Sequence, residues 1–349
     1  MENKKYTIKD IADLAGVSKG TVDRVLHNRG RVSEKALESV NNVLDKIDYQ
    51  PNIIARNLKN NKTYHICIVI PDPKKDEYWK PCIDGIDEAV TKYRSLGIST
   101  ETFFYNPTST HSFLNTCNKV LDQKPDAVLL PPLFHTQTVQ MIDEYNSKGI
   151  LVCTFNDQIN AKTVKGYVGQ DLYKSGRIGA QLMETITSTA AELVIIHVDE
   201  TFNNSIHMQE KEKGFRSYFE KTNDTKHNIT TLKIKHFDLD NTIVEYLNTN
   251  PKTEGIFVTT SKSFKIAQVL SNIPTASLKI IGYDLLEENI KYLENKKIDY
   301  LIHQNPKQQA YLSIIYIAEH FLFNKSIPKK KLLPINIINS ENIETYLEY

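Results

Sequence analysis

The residues with the most evident chemistry lie in "GVSKGTVDRVL", positions 16–26. If Ser18 opens a helix there, Val22, Val25 and Leu26 point inward. Lys19, Gly20, Asp23, Arg24 and His27 then share the exposed face. Such a face suits duplex DNA, because the exposed N-terminal residues of a recognition helix meet base edges in the major groove. Arg24 is the best candidate for a bidentate bond to guanine, a pairing that discriminates by ~1–3 kcal/mol, with Lys19 next. Gly20 costs roughly 1 kcal/mol of helix propensity against alanine and would let the backbone approach DNA closely. The plainer reading is a solvated face. Asp23 is the anomaly, since phosphates repel a carboxylate. It would be neutralised by Lys19 or His27, each four residues away, and so tune sequence choice. Alternatively it accepts a hydrogen bond from a cytosine N4 amine.

Catalytic patterns are missing. The sequence has no P-loop, no G-x-G-x-x-G, no H-E-x-x-H and no G-x-S-x-G, so no enzyme activity and no cofactor are expected. In "HMQEKE" (207–212) His207 and Lys211 fall on one helix face with no metal partner nearby, which reads as solvated. Cys67, Cys82, Cys117 and Cys153 are widely spaced, the pattern of reduced cytosolic thiols rather than of a zinc site or a disulfide scaffold.

Three helices must position the first face. Thr7 can cap the first, with Asp10 completing a capping-box pattern and Ile8, Ile11, Ala12, Leu14 and Ala15 as its apolar stripe. Gly16 breaks it, and only a few residues lead to the second, a helix-turn-helix arrangement. Ser33 can cap the third, which buries Ala36, Leu37, Val40, Val43, Leu44 and Ile47. "YQPNIIARNLKNNK" (49–62) then offers a helix of about two turns, too short to persist alone in water. Paired across a dimer, it could press Leu58 into a minor-groove base step; otherwise it is a linker.

From residue 64 apolar strands alternate with amphipathic helices, in ten strand-like segments from "YHICIVIP" to "DYLIHQNP". Strands buried on both faces imply parallel, doubly wound sheets, and ten are many for one sheet, so two similar lobes are expected. Ligands of such sheets bind beyond the carboxyl ends of the strands, where this chain has "KKDEYW", "PPLFH", "FNDQ", "GQD", "TTSK", "GYD" and "HQNP". Charge divides the same way. Residues 1–62 hold twelve Lys/Arg against eight Asp/Glu, and the remainder 31 against 34. A basic head on a mildly acidic body suits nucleic-acid contact at one end. The start has no apolar signal-peptide core, and no apolar run is long enough to span a membrane. A cytoplasmic location is expected.

The run "YTIKDIADLAGVSKGTVDRVLHNRGRVSEKALESVNNVLDKIDYQPNIIARNLK" resembles the head of the lactose-repressor (LacI/GalR) family of bacterial transcription regulators. The likeness includes the A-G-V-S turn, T-V-x-R-V-L and Y-x-P-N-x-x-A-R-x-L. It implies a helix-turn-helix head (1–50), a hinge helix and linker (51–62) and a two-lobed effector and dimerisation domain (63–349) similar to type I periplasmic binding proteins. It also implies a homodimer, with a tetramer allowed, on a pseudo-palindromic operator. Carried over, Lys19, Gly20 and Arg24 fall on base-reading positions, Ser18 and Thr21 on phosphate-contacting ones, Asn52 and Ala55 in the hinge, and Leu58 as the wedge. Asp23 departs from the usual serine. In the body the resemblance implies that Tyr78 and Trp79 stack on a sugar, and that Asn156, Asp171, Asp284 and Gln304 hydrogen-bond its hydroxyls. Lys211 stands where many members have arginine, and Thr260 where asparagine is common, so the family's sugar pattern is only partly kept. The function implied is that of an operator-binding regulator, repression being the expected sign, controlled by a carbohydrate effector between the lobes. The competing readings are a solute-binding module without DNA function and a catabolic enzyme on a doubly wound fold.

Overall fold

The computed structural model describes residues 6–26, 30–47, 62–198, 205–221, 227–235, 238–273 and 278–347. The chain divides into two compact units, Met1–Lys59 and Asn60–Tyr349.

The first unit contains α1 (Ile8–Ala15), α2 (Lys19–Leu26) and α3 (Glu34–Lys46). Thr7 and Asp10 form a reciprocal capping box at the start of α1, and Gly16 ends it in the left-handed region at φ 63°, where glycine carries no Cβ penalty. The Ser18 hydroxyl accepts the Thr21 N–H at 3.1 Å and so caps α2. Ile11, Ala12, Val22, Val25 and Val40 form the small core. Three expectations are corrected. Ser33 precedes α3 but makes no capping bond through its side chain. Leu14 and Leu37, expected inside, are exposed, because three short helices do not surround a full apolar stripe on each.

The second unit runs β1 (Tyr64–Pro71), α4 (Lys80–Tyr93), β2 (Ile98–Tyr105), α5 (Thr110–Gln123), β3 (Ala127–Leu130), α6 (His135–Ser147), β4 (Leu151–Asn156), β5 (Gly166–Gly169) and α7 (Leu172–Ile186). It continues β6 (Glu192–Val198), α8 (Ile206–Lys221), β7 (Asn228–Ile234), α9 (Leu239–Thr249), β8 (Thr253–Val258), α10 (Ser263–Ser271), β9 (Lys279–Tyr283), α11 (Glu287–Glu294) and β10 (Tyr300–His303). It ends with α12 (Pro306–Phe323), β11 (Lys331–Leu332), β12 (Asn336–Ile338) and α13 (Glu344–Leu347). All ten expected strands form, with β7 starting three residues before the expected "TLKIKHFDL". The short β11 and β12 are additional.

Two six-stranded sheets result, ordered β11-β5-β4-β3-β1-β2 and β12-β10-β9-β8-β6-β7. Within each the order of the first five strands is the same, so both lobes are wound alike. β12 runs antiparallel to β10, while the other pairings are parallel. Each sheet carries an apolar cluster on either face, which is why inner strands such as β1, β3, β6 and β8 read as continuous apolar runs, while β2 and β7 at the sheet edges are partly exposed. The chain passes between lobes three times: from β5 to α7, from β10 to α12, and from β11 to β12. After the second passage α12 packs into the first lobe's core through Ala310, Ile314, Ile317 and Ala318.

In the second lobe α7 and α8 cross at glycines. A Cβ on Gly176 would lie 2.0 Å from the Lys211 carbonyl oxygen, and one on Gly214 2.0 Å from that of Tyr173. Backbone cannot yield as a flexible side chain can, so an added methyl must force the helices apart. Gly176→Ala is expected to destabilise the protein by about 1–3 kcal/mol, read as a lower urea midpoint with an unchanged slope.

Candidate functional site

On the head, α2 divides into two sides. Val22 and Val25 are buried; Ser18, Lys19, Gly20 and Arg24 are exposed; Thr21 and Asp23 are half-buried. An added Cβ on Gly20 would meet nothing nearer than the Ser18 hydroxyl at 3.8 Å, so packing inside the head does not demand glycine there. Asp23 is not a bare carboxylate. His27, Asn52, Ala55 and Leu58 lie outside the described residues.

In the body the carboxyl ends of the strands carry a cluster of buried polar groups. The backbone turns sharply there at Asn156 (φ 70°), the last residue of β4, Asp284 (φ 64°) after β9 and Asn305 (φ 53°) after β10. Asn and Asp tolerate this left-handed region better than other non-glycine residues. Tyr78 lies on a short 3₁₀ turn whose preceding residue, Asp76, accepts the Tyr78 N–H. The Asn156 side-chain amide donates to the Tyr78 hydroxyl. Burial pushes the Tyr78 hydroxyl well above its ordinary pKa, helped by the charges of Asp284, Cys82 and Asp157. The first of these, Asp284, belongs to the second lobe, so the first lobe's tyrosine lies near it. Trp79 packs edge-on against Tyr78 and Phe155 within the first lobe's core.

The second lobe contributes a fixed brace. Asp284 accepts the Gln304 N–H at 3.0 Å and its side-chain amide at 2.6 Å. Lys211 is buried; its ammonium donates to the Thr259 carbonyl at 2.9 Å and lies 3.6 Å from the Tyr283 ring centroid, a desolvated cation–π contact. Thr260, also buried, accepts the Lys262 N–H at 3.4 Å. Asp171 caps α7, accepting the Lys174 N–H at 3.0 Å, with the Lys174 ammonium at 3.7 Å.

Three residues that the sequence did not assign to this site join the cluster. His207 Nδ1 meets Asp157 Oδ2 at 3.0 Å, a contact between α8 of the second lobe and the end of β4 in the first. The expectation of a solvated face for "HMQEKE" is therefore wrong at its two key positions, since His207 and Lys211 are both buried. A polar-looking stretch is half core here because α8 lies between its own sheet and the opposite lobe. The third residue is His303. Burial lowers its imidazole pKa, against the pull of Asp284, whose oxygen is 3.8 Å away. Asp157 Oδ1 and His303 Nδ1 are buried and find no hydrogen-bond partner among the described residues.

A polar chain links this cluster to the far side of the second lobe. Thr259 Oγ1 meets His197 Nδ1 at 2.7 Å, and His197 Nε2 meets Glu212 at 2.8 Å. Glu212 also accepts from Arg216 at 2.9 Å and Thr231 at 2.6 Å. Glu212, Arg216 and Thr231 line a hollow of about 750 Å³ with Tyr173 and Lys233. Their donors and acceptors satisfy one another, so the strand-end cluster remains the better candidate for ligand chemistry.

Comparison with known proteins places both units. Residues 66–324 match the Periplasmic binding protein domain family, and residues 7–52 match Bacterial regulatory proteins, lacI family.

The chain belongs to the lacI family of bacterial regulators.

It is 24% identical to the Sucrose operon repressor of Streptococcus mutans over 96% of this chain and 99% of that protein. It is 47% identical to the HTH-type transcriptional regulator RegA of Clostridium acetobutylicum over 25% of this chain and 26% of that one. A Bacteroides fragilis protein described as a LacI transcriptional regulator has a crystal structure with a TM-score of 0.76 and 28% identity, covering 82% of this chain and all of that one. A Burkholderia graminis solute-binding protein in complex with D-arabinose shares the fold, with a TM-score of 0.72 and 16% identity over 82% and 98% of the two chains. The lacI-family head makes this protein a DNA-binding regulator. Among the described residues no helix is long and apolar enough to cross a membrane.

Burial alone would raise the Glu212 pKa, but hydrogen bonds from His197, Thr231 and Arg216 outweigh it and hold the carboxyl at about 2. A depressed folded-state pKa stabilises above the unfolded value, and that contribution disappears as pH falls through the folded one. Stability should therefore fall between about pH 5 and pH 2. Glu212→Gln should flatten that part of the curve, measured by urea midpoints at each pH.

Proposed function

We propose that the protein is an effector-controlled regulator that binds a pseudo-palindromic DNA operator as a homodimer, and that a small carbohydrate-class ligand between the lobes sets its operator affinity. What carries the reading is the division of α2: valines inward, and Lys19, Gly20 and Arg24 outward on a capped, packed helix. A cytoplasmic, non-catalytic protein follows, with Ser18 and Thr21 on phosphates, Lys19 and Arg24 on bases, and Asp23 shaping base choice. Asn52, Ala55 and Leu58 serve as hinge residues.

For the ligand class, support comes from Asp157 Oδ1 and His303 Nδ1. Buried polar atoms are costly unless paired, and sugar hydroxyls can donate to both. In this reading Tyr78, Asn156, Lys211, Thr260, Asp284 and Gln304 contribute to the same ligand site, with Trp79 packed against Tyr78. Asp171, at the helix cap, stands at its margin. The full-length relative named Sucrose operon repressor agrees with a sugar. Because coupling between two binding sites is reciprocal, a ligand that releases the operator must itself bind the operator complex more weakly.

Selection from a randomised duplex library, followed by anisotropy titration, tests the head. Affinity for the selected site should fall steeply with salt, as expected when several phosphates are neutralised. Arg24→Ala should reduce preference for that site by roughly 5- to 150-fold, the equivalent of ~1–3 kcal/mol. Gly20→Ala should weaken operator binding while stabilising the head by up to ~1 kcal/mol. Asp23→Ser should change the preferred sequence. Salt-insensitive binding and no selected sequence would overturn the reading.

The cleft is tested by a thermal-shift screen of sugars and sugar phosphates, since a bound ligand raises apparent stability. Asp157→Asn should diminish the response to the active compound and leave operator binding without ligand intact. A response indifferent to Asp157, Asp284 and Tyr78 substitutions would place the ligand elsewhere.

A further inference from the structure

The first lobe has a second group of convergent side chains, at the opposite end of its sheet from the cleft. His65 and Cys67 are two residues apart on β1 and therefore point to the same face. Glu101 on β2 pairs in register with Cys67 and joins them. His65 Nε2 lies 3.8 Å from Cys67 Sγ and 3.8 Å from Glu101 Oε2, and the three donor atoms lie within 4.8 Å of one another. Cys67 is fully buried beneath a half-buried histidine and an exposed glutamate, so the group has a closed floor and an open mouth.

We propose that His65, Cys67 and Glu101 form a binding site for a divalent transition-metal ion, with zinc the best match.

One imidazole, one thiolate and one carboxylate are a donor set that zinc accepts, with water completing a tetrahedron. Zinc bonds of about 2.0–2.3 Å require donors about 3.4–3.6 Å apart; the two histidine contacts must close by a few tenths of an ångström, and the widest separation, up to 4.8 Å, by roughly 1 Å, a shift the exposed Glu101 side chain can make by rotation. The backbone beneath is held: the His65 N–H donates to Asp126 Oδ2 at 2.8 Å, and the Asp126 N–H donates to the His65 carbonyl at 2.8 Å. A cation at this position displaces the thiol proton and meets the charge of Glu101 directly. Its effect is to tie the edge strand β2 to β1. The carbohydrate reading of the cleft is independent of this site.

Cobalt(II) titration of the purified full-length protein, reduced and stripped of metal, provides the test. The expected result is one cobalt per chain, with visible bands of tetrahedral intensity and a thiolate-to-cobalt charge-transfer band, all removed by zinc. Glu101→Gln and His65→Gln, at partly exposed positions that should not impair folding, should each weaken binding by at least about tenfold. Cys67→Ser should abolish the charge-transfer band. If that variant does not fold, the other two decide. Absence of the thiolate band in the wild-type protein, or binding unaffected by both Glu101→Gln and His65→Gln, overturns the proposal.

Discussion

The Gln170 side-chain amide donates to the carbonyls of His303 at 3.2 Å and Pro334 at 2.9 Å. Gln170 lies in the first passage between the lobes, His303 enters the second, and Pro334 lies in the third. One amide nitrogen has two hydrogens, and both are used to tie the three crossing segments together. The Leu333 N–H adds a backbone bond to the Gly169 carbonyl at 2.8 Å. Two sheets joined by three tied strands of chain can rotate about them but cannot drift apart. The strand ends beside the crossings therefore remain opposite one another, which the cleft chemistry requires.

The groups gathered there come from distant parts of the chain. Asp157 and His207 meet across the lobes, and Asp284 is committed to Gln304. Lys211 draws on the Thr259 carbonyl, whose side chain is in turn held by His197. Rigid placement of this kind matters more than any one contact, because buried charges are tolerated only where their partners are fixed. It also limits which residues can be called ligand contacts: Asp171 is used as a helix cap, and Trp79 is packed beneath Tyr78.

Much of this architecture could be read in advance. Continuous apolar runs such as "YHICIVIP" and "AELVIIHVD" mark strands buried on both faces, and they formed as expected. Thr7 with Asp10 announced a helix start that the structure forms. What escaped was set by tertiary packing. β11 and β12 are two and three residues long, too short for any periodicity to register. Leu14 and Leu37 obey the helical spacing yet are exposed, with no neighbours among the described residues that cover them. "HMQEKE" looks solvated until the opposite lobe is placed against it. Gln170 was visible within "GQD", but its role depends on carbonyls more than a hundred residues away.

The glycine crossing of α7 and α8 bears on how movement would travel. α7 begins two residues after Gln170, and its backbone touches that of α8 at both Gly176 and Gly214. No side chains cushion the contact, so the two helices have little room to slide. His207 and Lys211 ride on α8. Any change of angle at the tied crossings would therefore reach them undamped, like a lever acting on its own arm.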